Sequence, residues 1–298
     1  MAYNELTVWD ACRAVERFTG NSDPGAALLH VRAGYQRFLT GSQPDDPRAV
    51  HTWNFLQPLG TLAVTYQTSG FVSTGVYDAD EETTTVTATA AAFATWMTGL
   101  TITVTDVGDL VIYSVTSTTV AVCTDGEDFA GKATSVPANG IYALPADYGG
   151  QIEVFQYPYD PTYATPVMEE VGPEDIMAWW AASNTPADPR LFAVVASVET
   201  GSTAQSHELW LAPRPQYDRT LRYRYRRRAP QIVDDKDCFF LGGADHAQTI
   251  KHLAIAEAEL ETGHVGGPRE VRAQRELLAA ITLDKRLFTS ISVPSLRR

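Results

Sequence analysis

The chain is poor in cysteine and in basic residues, and it has no long uninterrupted apolar run. Its three cysteines, Cys12, Cys123 and Cys238, form no CxxC pair, which argues against a disulfide framework and a cysteine-based zinc site. The 36 acidic residues outnumber the 23 basic ones, giving a net charge of -13. Such a surface repels nucleic acid as a whole, so we expect passive contact with DNA at most.

Signals for membranes and secretion are equally scarce. No segment reaches the roughly 18 uncharged apolar residues that a membrane span needs. The first residues carry Glu5 and Asp10 and lack the apolar core of a signal peptide. We therefore expect a soluble protein with no membrane partner.

Catalytic signatures are also absent from the sequence. It contains none of the motifs GxSxG, HExxH, GxxxxGK[ST] or GxGxxG. His246 and His252 are six residues apart, which places them on different faces of a helix, so we expect surface histidines. The acidic run 78–82 lacks the glycine and distant glutamate of a calcium loop and is typical of a solvated hairpin tip. We expect no enzyme, metal or cofactor, although the abundant carboxylates leave a hydrolase open as an alternative.

The two ends of the chain predict helices. An N-terminal helix capped by Asn4 should present a stripe of Val8, Cys12, Val15 and Phe18. A second helix should start at Asp23 and Pro24 and end at Gly41. Two more should follow the Gly-Gly pair at 242–243 and Pro268.

The middle of the chain changes to alternating Thr, Val and Ala with acidic turns, which predicts short strands. Further strands are expected around residues 152–156, 191–198, 208–212 and 221–225, with a short helix from Pro173. The resulting class is α+β: a helical bundle body of N- and C-terminal helix pairs, a small antiparallel sheet, and an inserted β-barrel or sandwich-like module. The expected organisation is a body of residues 1–67 and 137–286, a β module at 68–136 and an extended tail at 287–298.

The densest basic segment is RTLRYRYRRR at 219–228. On a strand, Arg222, Arg224 and Arg226 share one face, and Tyr223 and Tyr225 share the other. Arginine interleaved with tyrosine can hold nucleic acid, or it can bind carboxylates of a neighbouring subunit. The second interpretation is favoured, because this acidic chain supplies the carboxylates itself.

Several short motifs occur in an order that matches one family. They are YQRFL (35–39), WNFL (53–56), the β-rich segment within 68–136, YALPADY (142–148), and LWLAPRP (209–215) followed by LRYRY (221–225). In this order the chain resembles the head-to-tail adaptor proteins (neck or head completion proteins) of tailed double-stranded DNA bacteriophages. The arginine density at 222–228 and the long tail after Ile281 depart from the family pattern.

The resemblance implies a structural virion protein of the neck, assembled in the host cytoplasm. Its copies would form a ring, usually of twelve, joining the portal of the head to tail or nozzle proteins, and genomic DNA would pass through the lumen without specific contact. The candidate subunit or portal interface combines the arginine segment with the tail. These residues are Arg222, Arg224, Arg226, Arg227, Arg228, Phe288, Ile291, Val293, Arg297 and Arg298. The alternative is a receptor- or carbohydrate-binding tail component that uses the β module.

Overall fold

The computed structural model of the protein describes residues 6–41, 50–124, 126–158, 168–197, 205–234, 238–263 and 266–289. The five α-helices of these ranges are α1 (Val8–Thr19), α2 (Pro24–Thr40), α3 (Pro173–Ala182), α4 (Ala244–Glu261) and α5 (Pro268–Thr289). The strands are β1 (Leu59–Val64), β2 (Gln67–Asp78), β3 (Thr83–Ala88), β4 (Thr101–Val104), β5 (Gly108–Ser117), β6 (Val120–Thr124), β7 (Phe129–Pro137), β8 (Ile141–Ala143), β9 (Tyr148–Gln151), β10 (Glu169–Glu170), β11 (Leu191–Ser197), β12 (Ser206–Ala212) and β13 (Arg219–Arg227). The predicted α+β class is confirmed.

The chain divides into two compact units. The first comprises residues 1–58 and 225–298, and the second comprises residues 59–224. Helices α1, α2, α4 and α5 belong to the first unit, whereas α3 and almost all the strands belong to the second. No helix in the described ranges is both long and apolar enough to span a membrane.

Local capping rules account for the helix boundaries of the first unit. Asp23 caps α2 through a bond that its carboxylate accepts from the Gly25 N–H, and Gly41 ends the helix in the left-handed conformation, as predicted. The predicted cap of α1 is wrong. Thr7 fills that position, because its hydroxyl and the Asp10 carboxylate satisfy each other's backbone N–H groups.

The apolar faces of these four helices share one core. Val8, Cys12 and Val15 of α1 lie in it, as the spacing predicts. Phe18 does not, since its side chain stays 37% exposed in the last turn, where the Arg269 guanidinium lies over its ring. The other buried members come mainly from α2, α4 and α5 and include Val31, Phe38, Trp53, Ile250, Leu253, Ala254 and Leu277.

A buried carboxylate joins α4 to the start of α5. The Glu259 side chain accepts hydrogen bonds from the backbone N–H groups of Arg269 and Glu270, both at 3.1 Å. The first N–H groups of a helix have no partner within the helix, and a negative charge is favourable there. Glu259 therefore caps α5 from a neighbouring helix.

The last helix is longer than the sequence suggests. Residues 287–289, expected to begin an extended tail, continue α5. No glycine or proline interrupts the chain there before Pro294, so nothing local ends the helix at 287. The remaining tail residues lie outside the described ranges.

The second unit contains a closed barrel and two smaller sheets. The barrel order is β2-β3-β6-β5-β4-β7, and its interior is filled by apolar side chains such as Val86, Phe93, Ile102, Ile112 and Phe129. The sheets have the orders β1-β13-β9 and β10-β11-β12-β8. Helix α3 packs its Ile176 against the second sheet.

The predicted strand at residues 152–156 is wrong for most of its length. Strand β9 ends at Gln151, and Ile152 and Val154 are 40% and 42% exposed. The N–H groups of Ile152 and Glu153 both donate to the Arg224 carbonyl oxygen, so the pairing slips by one residue. The slip turns Phe155 into the core in place of Val154.

Helices α2 and α4 approach closely at Gly34. A Cβ built on Gly34 would lie 2.4 Å from the backbone nitrogen of Ala254. We predict that Gly34→Ala forces the helices apart and lowers the free energy of unfolding by about 1–3 kcal/mol, the usual range for overpacking. Urea denaturation followed by circular dichroism measures this loss.

Gly25→Ala in the same helix is the matched control for Gly34→Ala. At Gly25 the new Cβ meets only the flexible Asp23 carboxylate, at 3.3 Å. Helix propensity alone favours alanine over glycine at both positions, so an equal loss of stability in the two variants would mean that the α2–α4 contact does not govern the effect.

Acidification should destabilise the protein through His246. Its ring is 7% exposed and lies 5.2 Å from the Trp53 ring, and its Nδ1 has no partner among the described residues. Burial lowers the pKa of His246, while Asp284 and Asp245 oppose the shift. The unfolded chain therefore binds this proton first, and stability should fall as pH drops below the ordinary histidine pKa of about 6.5.

The measurement is the urea midpoint of wild type and His246→Phe at several pH values between neutral and mildly acidic. Phenylalanine keeps an aromatic ring in the cluster but binds no proton. The variant should lose less stability on acidification than the wild type. Parallel pH profiles would contradict the assignment.

Candidate assembly surface

Strand β13 carries the arginine segment at the centre of a three-stranded sheet. It pairs antiparallel with β1, so that Leu221 faces Leu62 and Tyr223 faces Gly60. Leu221, Tyr223 and Tyr225 are buried, whereas Arg222 and Arg226 are exposed and Arg224 is half-buried. The predicted alternation of arginine and tyrosine is confirmed.

Aromatic side chains pack against the buried face of β13. The Tyr223 ring stacks on Phe155 with centroids 4.5 Å apart, and Phe155 meets Phe192 edge-on at 5.2 Å. A Cβ on Gly60 would lie 2.6 Å from the Tyr223 ring, so only glycine leaves room for it. The strand is therefore held rigidly, which suits a surface that must present charges in register.

Two arginines of β13 pair with carboxylates of the second unit. Arg224 Nη1 lies 3.6 Å from Glu153 Oε1, and Arg219 Nη2 lies 3.5 Å from Asp188 Oδ1. Both pairs are solvent-accessible, and such pairs contribute little to stability, about 0–1 kcal/mol.

The other predicted interface residues fall in different places. Arg227 is half-buried in the first unit. Burial raises the pKa of Tyr35 to about 12, and the positive charge of Arg227 opposes that rise. Arg228 is exposed. Phe288 belongs to α5. Ile291, Val293, Arg297 and Arg298 lie outside the described residues.

The candidate metal and catalytic groups are not gathered into a site in the described ranges. No cluster of three or more His, Cys, Asp or Glu side chains there could hold a metal ion. His246 faces the aromatic core, whereas His252 pairs with Glu276, so the expectation of a surface position is wrong for His246. The acidic run 78–82 forms the exposed turn between β2 and β3, as predicted.

One functional candidate was missed by sequence reasoning. Arg214 is 6% exposed and lies over two indole rings, with its Cζ 3.9 Å from the Trp96 centroid and 5.1 Å from the Trp180 centroid. It also lines a cleft of about 360 Å³ at one end of the barrel. The only local signal is an arginine between two prolines, and it does not reveal partners so distant in sequence.

Substitutions of the exposed arginines and of the buried tyrosines of β13 should differ in their effect on the free energy of unfolding. We predict that Arg222→Ala changes the free energy of unfolding by about 0.5 kcal/mol or less, because the side chain faces solvent. Tyr223→Ala should cost about 3–5 kcal/mol, because it empties the space between Gly60 and Phe155. Chemical denaturation of both variants checks the contrast, and a large loss for Arg222→Ala would show that this arginine is structural.

The comparison with known proteins adds no relative from which a role could be transferred. No protein-family model matches the chain, and no curated protein matches it in sequence. The function must therefore be argued from the surface itself: a rigid central strand whose outer face carries arginines, in a chain that is otherwise strongly acidic.

Proposed function

We propose that the protein is a structural ring subunit of a tailed-phage neck, joining the portal of the head to the tail and giving DNA a channel. The observation that carries this proposal is the arginine face of β13 in a chain of net charge -13. Electrostatic attraction between copies of such a chain arises where a basic patch of one meets the acidic surface of the next. A head-to-tail contact of that kind closes into a ring when its rotation permits.

The described geometry supports the contact in two ways. Arg222 is exposed on a strand held by Tyr223 and its aromatic neighbours, so the backbone that carries its side chain is fixed before binding. Arginine binds carboxylates with two parallel hydrogen bonds, which gives orientation as well as affinity. The carboxylates can come from the acidic turns of the barrel, such as residues 78–82, which face solvent.

The finer architecture belongs to the same proposal. The helical bundle body, with its N- and C-terminal helix pairs, would form the ring wall, and the segment after α5 would dock into the portal. Tail or nozzle proteins would bind the opposite face. An acidic lumen would let DNA pass without adhering, because like charges repel. The protein would then reside in the virion neck and act without catalysis or a cofactor.

The alternative, a carbohydrate-binding tail component, has less support. Sugars stack on exposed aromatic rings, and the barrel contains a single tryptophan, Trp96. The Arg214 guanidinium lies 3.9 Å from the centre of that ring and occupies one of its faces. The one indole of the barrel is therefore already engaged by a cation and is only half-exposed.

Ring assembly should depend on the arginine face. We predict that the purified protein forms closed rings, and that the triple variant Arg222→Ala, Arg224→Ala, Arg226→Ala shifts it toward monomer by weakening the contact at least tenfold, which is about 1.4 kcal/mol. Sedimentation velocity gives the oligomer distribution, and negative-stain microscopy gives the symmetry. High salt should act in the same direction, because it screens exposed charges.

The control is a triple variant with the same charge change elsewhere, namely Arg13→Ala, Arg17→Ala and Arg275→Ala on exposed positions of α1 and α5. It should assemble like the wild type. A β13 variant that forms normal rings but retains less DNA would favour the nucleic-acid interpretation of the arginines. A wild-type protein that stays monomeric with and without portal would overturn the proposal.

A further inference from the structure

The cleft beside Arg214 has the features of a binding site. It lies entirely within the second unit and opens between the barrel end, at Gln67, Thr101 and Pro137, and the loops that carry Pro186 and Arg214. Its volume of about 360 Å³ falls in the range of small-molecule sites. Most of its wall is apolar or amide-bearing, and Arg214 is the charged side chain among the lining residues.

Arg214 is charged, buried and poorly compensated. Its Nη1 donates to Asn184 Oδ1 at 3.4 Å, which is a long hydrogen bond, and its Nε has no partner among the described residues. Burial lowers the pKa of Arg214 to about 10, and no nearby carboxylate opposes the shift. The side chain therefore remains a cation at neutral pH, although an unpaired buried charge costs several kcal/mol.

The two tryptophans compensate only part of this cost. A cation over an indole face gains about 2 kcal/mol when both are desolvated. Trp180 is itself fixed, because its Nε1 donates to the Leu211 carbonyl oxygen at 3.0 Å. The indole rings offer no nitrogen or oxygen acceptor to the guanidinium N–H groups, because an indole nitrogen only donates. Four of the five N–H donors of Arg214 thus lack an acceptor among the described residues.

These observations select the chemistry of the group that Arg214 would bind. It must accept hydrogen bonds in the plane of a guanidinium and carry negative charge, as a carboxylate does with bidentate geometry. Its remaining part must suit walls rich in proline, such as Pro137, Pro186 and Pro215, together with Tyr66. We propose that this cleft binds a carboxylate borne on an apolar group, with Arg214 as the anchoring residue.

Two sources can supply that carboxylate: a free small organic acid, or an acidic side chain of a second copy of this chain. Phenylacetate serves as the probe, and phenylacetamide is its neutral match of nearly the same shape. Calorimetry and tryptophan fluorescence at constant ionic strength should show saturable binding of phenylacetate and at least tenfold weaker binding of phenylacetamide. Trp96 and Trp180 flank the anchoring group, so the fluorescence should change as the site fills.

Arg214→Gln should weaken phenylacetate binding at least tenfold. Because this variant removes a buried side chain, a second variant keeps the test decisive if it fails to fold. Thr101→Phe leaves Arg214 in place and fills the cleft from an exposed strand position. Thr87→Phe makes the same change at an exposed position of β3 outside the cleft and should bind normally.

The two sources are then distinguished by sedimentation. Self-association that Arg214→Gln abolishes and phenylacetate competes away assigns the carboxylate to a second copy. Self-association unaffected by either change, or its absence, assigns the site to a free acid. The proposal is overturned if phenylacetate shows no saturable binding, if the amide binds as well as the acid, or if Thr101→Phe binds like Thr87→Phe. The binding results for phenylacetate and phenylacetamide do not bear on whether the arginines of β13 assemble a ring, so the two proposals can fail separately.

Discussion

The second unit depends on the pairing of β1 with β13. These strands lie at opposite ends of the unit's sequence. Their register places Leu59, the first residue of the unit, opposite Arg224, its last residue. Closing so long a segment costs conformational entropy that only extensive burial can offset. Leu221, packed across from Leu62, and Tyr223, seated over Gly60, provide that burial. The same contacts fix the exposed arginines, so stability and charge presentation have one origin.

The arginines of the second unit lie in two different electrostatic environments. A chain of net charge -13 keeps copies of itself apart except where basic groups are concentrated. Arg222 and Arg226 of β13 are exposed to solvent, whereas Arg214 lines a cleft and lies over two indole rings. The same residue type thus occurs in two environments, one exposed on a strand and the other desolvated beside aromatic rings.

Much of the fold could be predicted from sequence where short-range rules decide it. The caps of α2 at Asp23 and Gly41 and the start of α3 at Pro173 follow from the chemistry of single turns. The alternation along β13 follows from the two-residue repeat of a strand. The segment after Gln151 was mispredicted because its register is set by the distant Arg224 carbonyl oxygen, which accepts two successive N–H groups. The environment of Arg214 could not be predicted from the sequence for a related reason, since Trp96 and Trp180 contact it only through tertiary packing.

The barrel begins and ends at one place, because Gln67 at the start of β2 pairs with Pro137 at the end of β7. Its two connections to the rest of the unit are thus separated by about one strand spacing, roughly 5 Å. A segment anchored in this way can be exchanged for a tight turn or for a different module without lengthening the path that the flanking chain must cover. The barrel is therefore a self-contained module, and its exchange would leave the pairing of β1 with β13 in place.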